Sequence, residues 1–162
     1  ITTTDQIFHE MCAAMGGRAA EEITFGKIST GALSDLEKVT KQAQAMVTGY
    51  GLNEKIGNIS YYDSRGEQSF TKPYSEATAR IIDEEVSKVI EDAYKKAKEI
   101  LSLNKDKLTE LAEVLLKDEV IFKVDVERIL GPRPFEEEQV GVILIEENDK
   151  VIDKVDKQPK SE

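Results

Sequence analysis

Asp35 is the side chain in this sequence best placed to do chemistry. It stands in the run Ser29-Thr30-Gly31-Ala32-Leu33-Ser34-Asp35-Leu36, where a loop turns into a helix. Ser29 or Thr30 is a natural cap for that helix. At a helical repeat of about 100° per residue, Val39 lies about 40° from Asp35 and Met46 about 20° away. The carboxylate therefore falls on the edge of an apolar stripe and not with Glu37, Lys38 and Lys41. An acid there needs a cation, a set of hydrogen-bond donors or a metal. The plainer alternative is a first-turn acid complementing the helix dipole or nearby N–H groups.

The rest of the chemical inventory is thin. His9 is the single histidine and Cys12 the single cysteine. The run His9-Glu10-Met11-Cys12-Ala13 is similar to the opening of a zinc-protease helix, but Ala13 stands where a second histidine is required. One imidazole and one thiol do not close a metal site. A Cys–His nucleophile pair is disfavoured as well, because N–H groups inside a helix are already bonded and no oxyanion donor is at hand. His9 and Cys12 are expected to be packing residues. Arg18 and Glu22, four apart, are placed to form a partly buried ion pair. No glycine-rich loop with the phosphate-binding lysine is present, so the chain itself is not expected to bind nucleotide.

Composition excludes several classes. The 162 residues are enough for one domain with a real core. A net charge of −10, with 33% of residues charged, opposes nucleic-acid binding and adsorption to an anionic membrane. No apolar run approaches the roughly 18 residues needed to cross a bilayer, and no signal peptide is evident. A lone cysteine suits a reducing compartment. The chain begins with Ile1, not Met, and is expected to be a piece of a longer protein.

The elements that would position Asp35 are helices. Apolar spacing predicts an all-α bundle of about five helices with a long central one. The first covers about residues 5–22, with Ile7, Phe8, Met11 and Met15 on one face and Cys12, Ala13, Gly16 and Ala20 on a second, small one. The second covers about 30–48 and ends at Gly49 and Gly51. Residues 53–73 are the least regular, with a possible small hairpin around Asp63-Ser64-Arg65-Gly66 between Ile59, Tyr61 and Phe70. The long third helix, about 75–101, carries Ile82, Val86, Val89, Ile90, Ala93, Ala97 and Ile100 as its stripe, with Asp83, Glu84, Glu91, Lys95 and Lys98 toward solvent. A fourth, about 104–116, turns Leu108, Leu111, Ala112 and Leu115 inward. A fifth, about 124–130, is capped by Asp125 and stopped by Gly131-Pro132. Two regions follow: a helical domain, 1–134, and an acidic, flexible tail, 135–162, whose one strongly apolar run is 140–145.

Several motifs together carry a family resemblance. Met15-Gly16-Gly17-Arg18-Ala19-Ala20-Glu21-Glu22, then Phe25-Gly26, then the Ser29 to Leu36 run, resemble the peptidase domain of the FtsH family of membrane-anchored, ATP-dependent zinc metalloproteases. Met46-Val47 before Tyr50-Gly51-Leu52 agrees, as do Tyr74-Ser75-Glu76-Ala77-Thr78-Ala79, Ile82-Asp83-Glu84-Glu85-Val86 and Ala93-Tyr94 before Ala97-Lys98-Glu99-Ile100-Leu101. The resemblance covers about residues 2–133.

It implies that Asp35 is the third zinc ligand, beside two histidines of an H-E-x-x-H helix whose glutamate is the general base. Such a site leaves one position open where zinc acidifies water. Glu21 then corresponds to a supporting carboxylate that orients a ligand histidine, with Glu22, on the more apolar face, as the alternative. Arg18 and Gly31 take structural roles. The H-E-x-x-H motif is absent, and so are the ATPase module with its ATP and Mg and the N-terminal membrane anchor. The resemblance therefore implies an intact, homo-hexameric endopeptidase at the cytoplasmic face of a bacterial inner membrane. It would degrade misfolded or short-lived membrane and cytoplasmic proteins, while this chain alone is inactive. The competing reading is a non-catalytic helical oligomerisation or adaptor module.

Overall fold

Helix α4, Glu76–Leu103, is the spine of the molecule, and α1, α2 and α3 pack along it. The computed structural model describes residues 1–61 and 73–132. Among these the architecture is all-α: α1 Thr4–Ala14, α2 Gly16–Phe25, α3 Leu33–Gln44, α4, α5 Lys105–Asp118 and α6 Lys123–Leu130, with no strand. Ile59 and Tyr61 form no strand; Phe70, the turn at 63–66 and the acidic tail from 135 onward lie outside the described residues.

Local signals set the helix starts. Thr3 and Gln6 form a reciprocal capping box at α1. Ser75 caps α4, its hydroxyl accepting from Thr78 N. At α6 the Asp125 carboxylate accepts from Phe122 N from inside the first turn, so Asp125 stands three residues later than a cap. Asn104 precedes α5, yet its side chain donates back to Ile100 O and caps nothing ahead of it.

The expected first helix is two. Met15 holds φ −78° and ψ −6° between α1 and α2, where Gly16 and Gly17 weaken helix continuation. Helix α3 stops at Gln44, and a π-turn, Ala45–Gly49, absorbs what periodicity reads as continuous helix. Gly51 then takes φ +64° with the Asn58 backbone close by, a conformation that favours glycine.

The core joins Ile7, Met11, Met15 and Ala19 from α1–α2, Val39 and Ala43 from α3, and Ala93 and Ala97 from α4. Ala19, Ala43 and Ala93 are fully buried. Their small side chains let the helix backbones approach while Met11 and Val39 fill the space between. A second cluster gathers Val47, Ile56 and Ile82.

Some inward assignments do not hold. Ile100 is 46% exposed and Leu115 49%, and Ala112 is also exposed, while Leu108 and Leu111 are only half-buried. The reason is tertiary: among the described residues α5 packs mainly on α6 and touches α4 little, so its stripe is largely uncovered by them. Lys98, expected in solvent, is half-buried against α2. Cys12 is buried as expected, and burial raises its thiol pKa.

Replacing Ala93 by Leu is expected to cost about 1–3 kcal/mol through overpacking. Leu116→Ser, on the open face of α5, is expected to change stability by no more than about 0.5 kcal/mol. Urea unfolding of the two variants checks the contrast.

Candidate functional site

The connection between α2 and α3 carries the candidate site. Helix α2 ends at Gly26, in the left-handed conformation at φ +68°, its N–H donating to Glu22 O. The chain then runs to Ser29, whose hydroxyl accepts from Gly31 N at 3.3 Å and caps a single 3₁₀ turn, Thr30–Ala32. Ala32 is buried and leads into α3. Asp35 is the third residue of α3 and its one first-turn acid.

Asp35 is half-buried, at the edge of the stripe that Val39 and Ala43 bury. Within the described residues its carboxylate accepts no hydrogen bond and forms no ion pair. Its position on the edge of the stripe matches the periodicity, while none of the described neighbours supplies a bonded partner. What remains close is the positive end of α3.

Glu21 and Glu22, adjacent in α2, do different things. Glu21 reaches forward eight residues, and its Oε2 accepts from Ser29 N at 3.0 Å. Bonds from the Ser29 side chain and backbone draw the Glu21 carboxyl below the usual carboxylate range, and Arg18 adds a weaker pull. Glu21 therefore clasps the connection that leads to Asp35. Glu22 turns to α4, where it accepts from the Tyr94 hydroxyl and pairs with Lys98 Nζ at 3.3 Å. Lys98 Nζ also lies 4.6 Å from the Tyr94 ring centroid, over its face. The Tyr94 bond, then Lys98, lowers the Glu22 carboxyl pKa.

The Arg18–Glu22 ion pair is not formed. Lys98, 76 positions further along, holds Glu22 instead, and Arg18 acts on both glutamates only through its charge. Gly31 needs no left-handed backbone, and a Cβ there would meet only Ser29 Oγ at 3.5 Å, an ordinary contact. Tyr94 and Lys98 escaped the sequence reading, because their link to Glu22 spans 72 residues or more and has no local spacing. The described residues contain no group of three or more His, Cys, Asp or Glu side chains placed to hold a metal ion.

Residues 1–129 match peptidase family M41. This chain belongs to that family. The FtsH ATP-dependent zinc metalloprotease of Parabacteroides distasonis is 53% identical over 148 residues, covering 91% of this chain and 22% of that protein. Its counterpart from Karelsulcia muelleri is 55% identical over 132 residues, 80% of this chain and 21% of that protein. A mitochondrial inner membrane m-AAA protease component of Mus musculus is 47% identical over 145 residues, 89% of this chain and 18% of that protein. The chain thus spans about a fifth of the length of these M41 relatives. The match includes the whole Glu21–Ser29–Asp35 arrangement.

Burial, then the Glu22 carboxylate, pushes the Tyr94 phenol up to about 12. The folded chain keeps this proton to a higher pH than the unfolded chain, where a tyrosine titrates near about 10. The stability involved is complete below about 10 and is lost as pH rises toward about 12. Urea midpoints measured across that window are expected to fall in the parent chain and to fall less in Tyr94→Phe.

Proposed function

We propose that this chain is the helical part, residues 1–134, of the peptidase domain of an ATP-dependent zinc metalloendopeptidase, and that Asp35 is its contribution to the zinc site. The observation that carries the reading is an uncommitted, half-buried carboxylate at a helix start, reached by a connection that Glu21 clasps. The M41 match and the zinc metalloprotease relatives support it.

The described residues do not by themselves fit a zinc ion. They gather no three-donor set, and one carboxylate is not a chelate. Two imidazoles and a catalytic glutamate would have to come from sequence outside this chain. Zinc, when bound in the intact protein, supplies an acidified water. Within this chain, Asp35 presents its oxygens from a rigid helical turn. Glu21 fixes the Ser29 backbone ahead of that turn, which supports a role beside the site for it. Glu22, tied to Tyr94 and Lys98, secures α2 to α4. These bonds favour Glu21 over Glu22 as the supporting carboxylate.

The substrates would be proteins, misfolded or short-lived ones of membrane and cytoplasm. They would be delivered by an ATPase module using ATP and Mg in a homo-hexamer anchored at the cytoplasmic face of the inner membrane. Among the described residues no helix is long and apolar enough to cross a membrane, so an anchor would have to come from elsewhere in the polypeptide.

In the longer protein, Asp35→Asn is expected to lower zinc affinity by more than the roughly 10–100-fold typical of an outer partner, with casein cleavage lost and helix content kept. Unchanged zinc content and cleavage would remove the ligand role. The 162-residue chain titrated with zinc is expected to show no stoichiometric binding.

A further inference from the structure

Glu85 is the one buried charged side chain among the described residues, only 6% exposed, and it lies on the face of α4 away from Asp83 and Glu84. Both of its side-chain partners come from one short stretch of the segment that follows α3. Asn53 Nδ2 donates to Glu85 Oε2 at 2.8 Å, and Lys55 Nζ pairs with Oε1. Asn53 is itself the organiser of its turn. Its Oδ1 accepts from Lys55 N at 3.0 Å and Ile56 N at 3.1 Å, and its backbone carbonyl accepts from Gly57 N at 2.8 Å. The segment returns to the bundle where Tyr61 N donates to Thr48 O, and Ile56 is its one buried apolar residue.

Around these anchors the segment is open. Tyr50 is 64% exposed and Ile59 50%, and the left-handed glycines Gly51 and Gly57 bracket the turn. Tyr50 and Leu52 form the outer wall of a cavity of about 690 Å³, whose inner wall is Ile7, Glu10 and Gln42 of α1 and α3.

We propose that residues 50–61 are a strap, pinned to α4 by the Glu85 carboxylate, that opens as a unit while the helical bundle stays folded, and so sets the mouth of the cavity between α1 and α3. The physical reason is the imbalance of its anchors. Its apolar contacts are Ile56 and, at the far end, Tyr61, which packs on the Val47–Ile82 cluster and edge-on against Tyr74, whereas two charge-assisted bonds to a carboxylate out of water hold the turn at its centre. Remove the charge and Asn53 keeps a neutral acceptor, but Lys55 has none. Elements with few buried apolar contacts are the ones that open locally.

The test is nicking of the 162-residue chain by chymotrypsin under native conditions, with mass spectrometry reading cleavage after Tyr50 and Leu52. Glu85→Gln and Lys55→Met are each expected to speed that cleavage by roughly tenfold, the equivalent of losing one charged hydrogen bond. Far-UV circular dichroism and the thermal midpoint of the helices should stay close to the parent. The double variant should nick no faster than Glu85→Gln alone, because the two residues form one pin. Nicking rates equal to the parent in both single variants overturn the strap. So does acceleration that comes only with loss of helix signal, since the strap would then open only with the bundle. If Glu85→Gln does not fold, Lys55→Met, at a side chain 59% exposed, decides the matter by the same two readings.

Discussion

The close approach of helix backbones along α4 is the constraint on which the other features rest. Ala93 and Ala97 present almost no side-chain bulk, and Ala19 and Ala43 answer them from α2 and α3. Met11 and Val39 then fill the space between the helices, at close-packed density, with side chains wholly out of water. The break at Met15 belongs to the same constraint. Ile7 and Met11 from α1 and Ala19 from α2 enter one core across that bend.

Once α2 lies on α4, its two adjacent acids are forced apart in role. Successive residues on a helix point about 100° from one another, so Glu22 faces Tyr94 and Lys98 while Glu21 faces the chain leaving Gly26. Glu22 ties a helix to the spine by a shared carboxylate. Glu21 holds the backbone of Ser29, and through the 3₁₀ turn that Ser29 caps it sets where α3 begins. Asp35 sits in the first turn of that helix, so its position follows from a clasp it does not touch. This is how a carboxylate without a bonded partner of its own keeps a defined place.

Away from the spine the same physics relaxes. Helices α5 and α6 have the amphipathic spacing of packed elements, yet Leu115, Leu116, Phe122 and Val124 are exposed because, among the described residues, the two helices pack mainly on each other and little on α4. The strap at residues 50–61 shows the opposite imbalance. It buries little apolar surface but places a charge pair at its centre, where a desolvated carboxylate needs both of its donors.

Helix identity, the stripe of α4 and the position of Asp35 on the edge of α3 were all legible in the chain, because each depends on residues within a few turns of one another. The M41 motifs were legible for the same reason. The split at Met15 and the π-turn at Ala45–Gly49 were not, since periodicity runs through a small bend without changing phase enough to mark it. Nor were the partners of the charges. Spacing paired Arg18 with Glu22, but Lys98 and Tyr94 took that carboxylate, and Glu85 disappeared among the acids of α4 although it is the one that is buried. Which residues form helices, and which face is apolar, is local information and resides in the sequence. Which acid is clasped, which is pinned and which is left without a partner was decided only when segments tens of residues apart came together, because a charge settles on the donor that folding brings within about 3 Å and not on the one nearest along the chain.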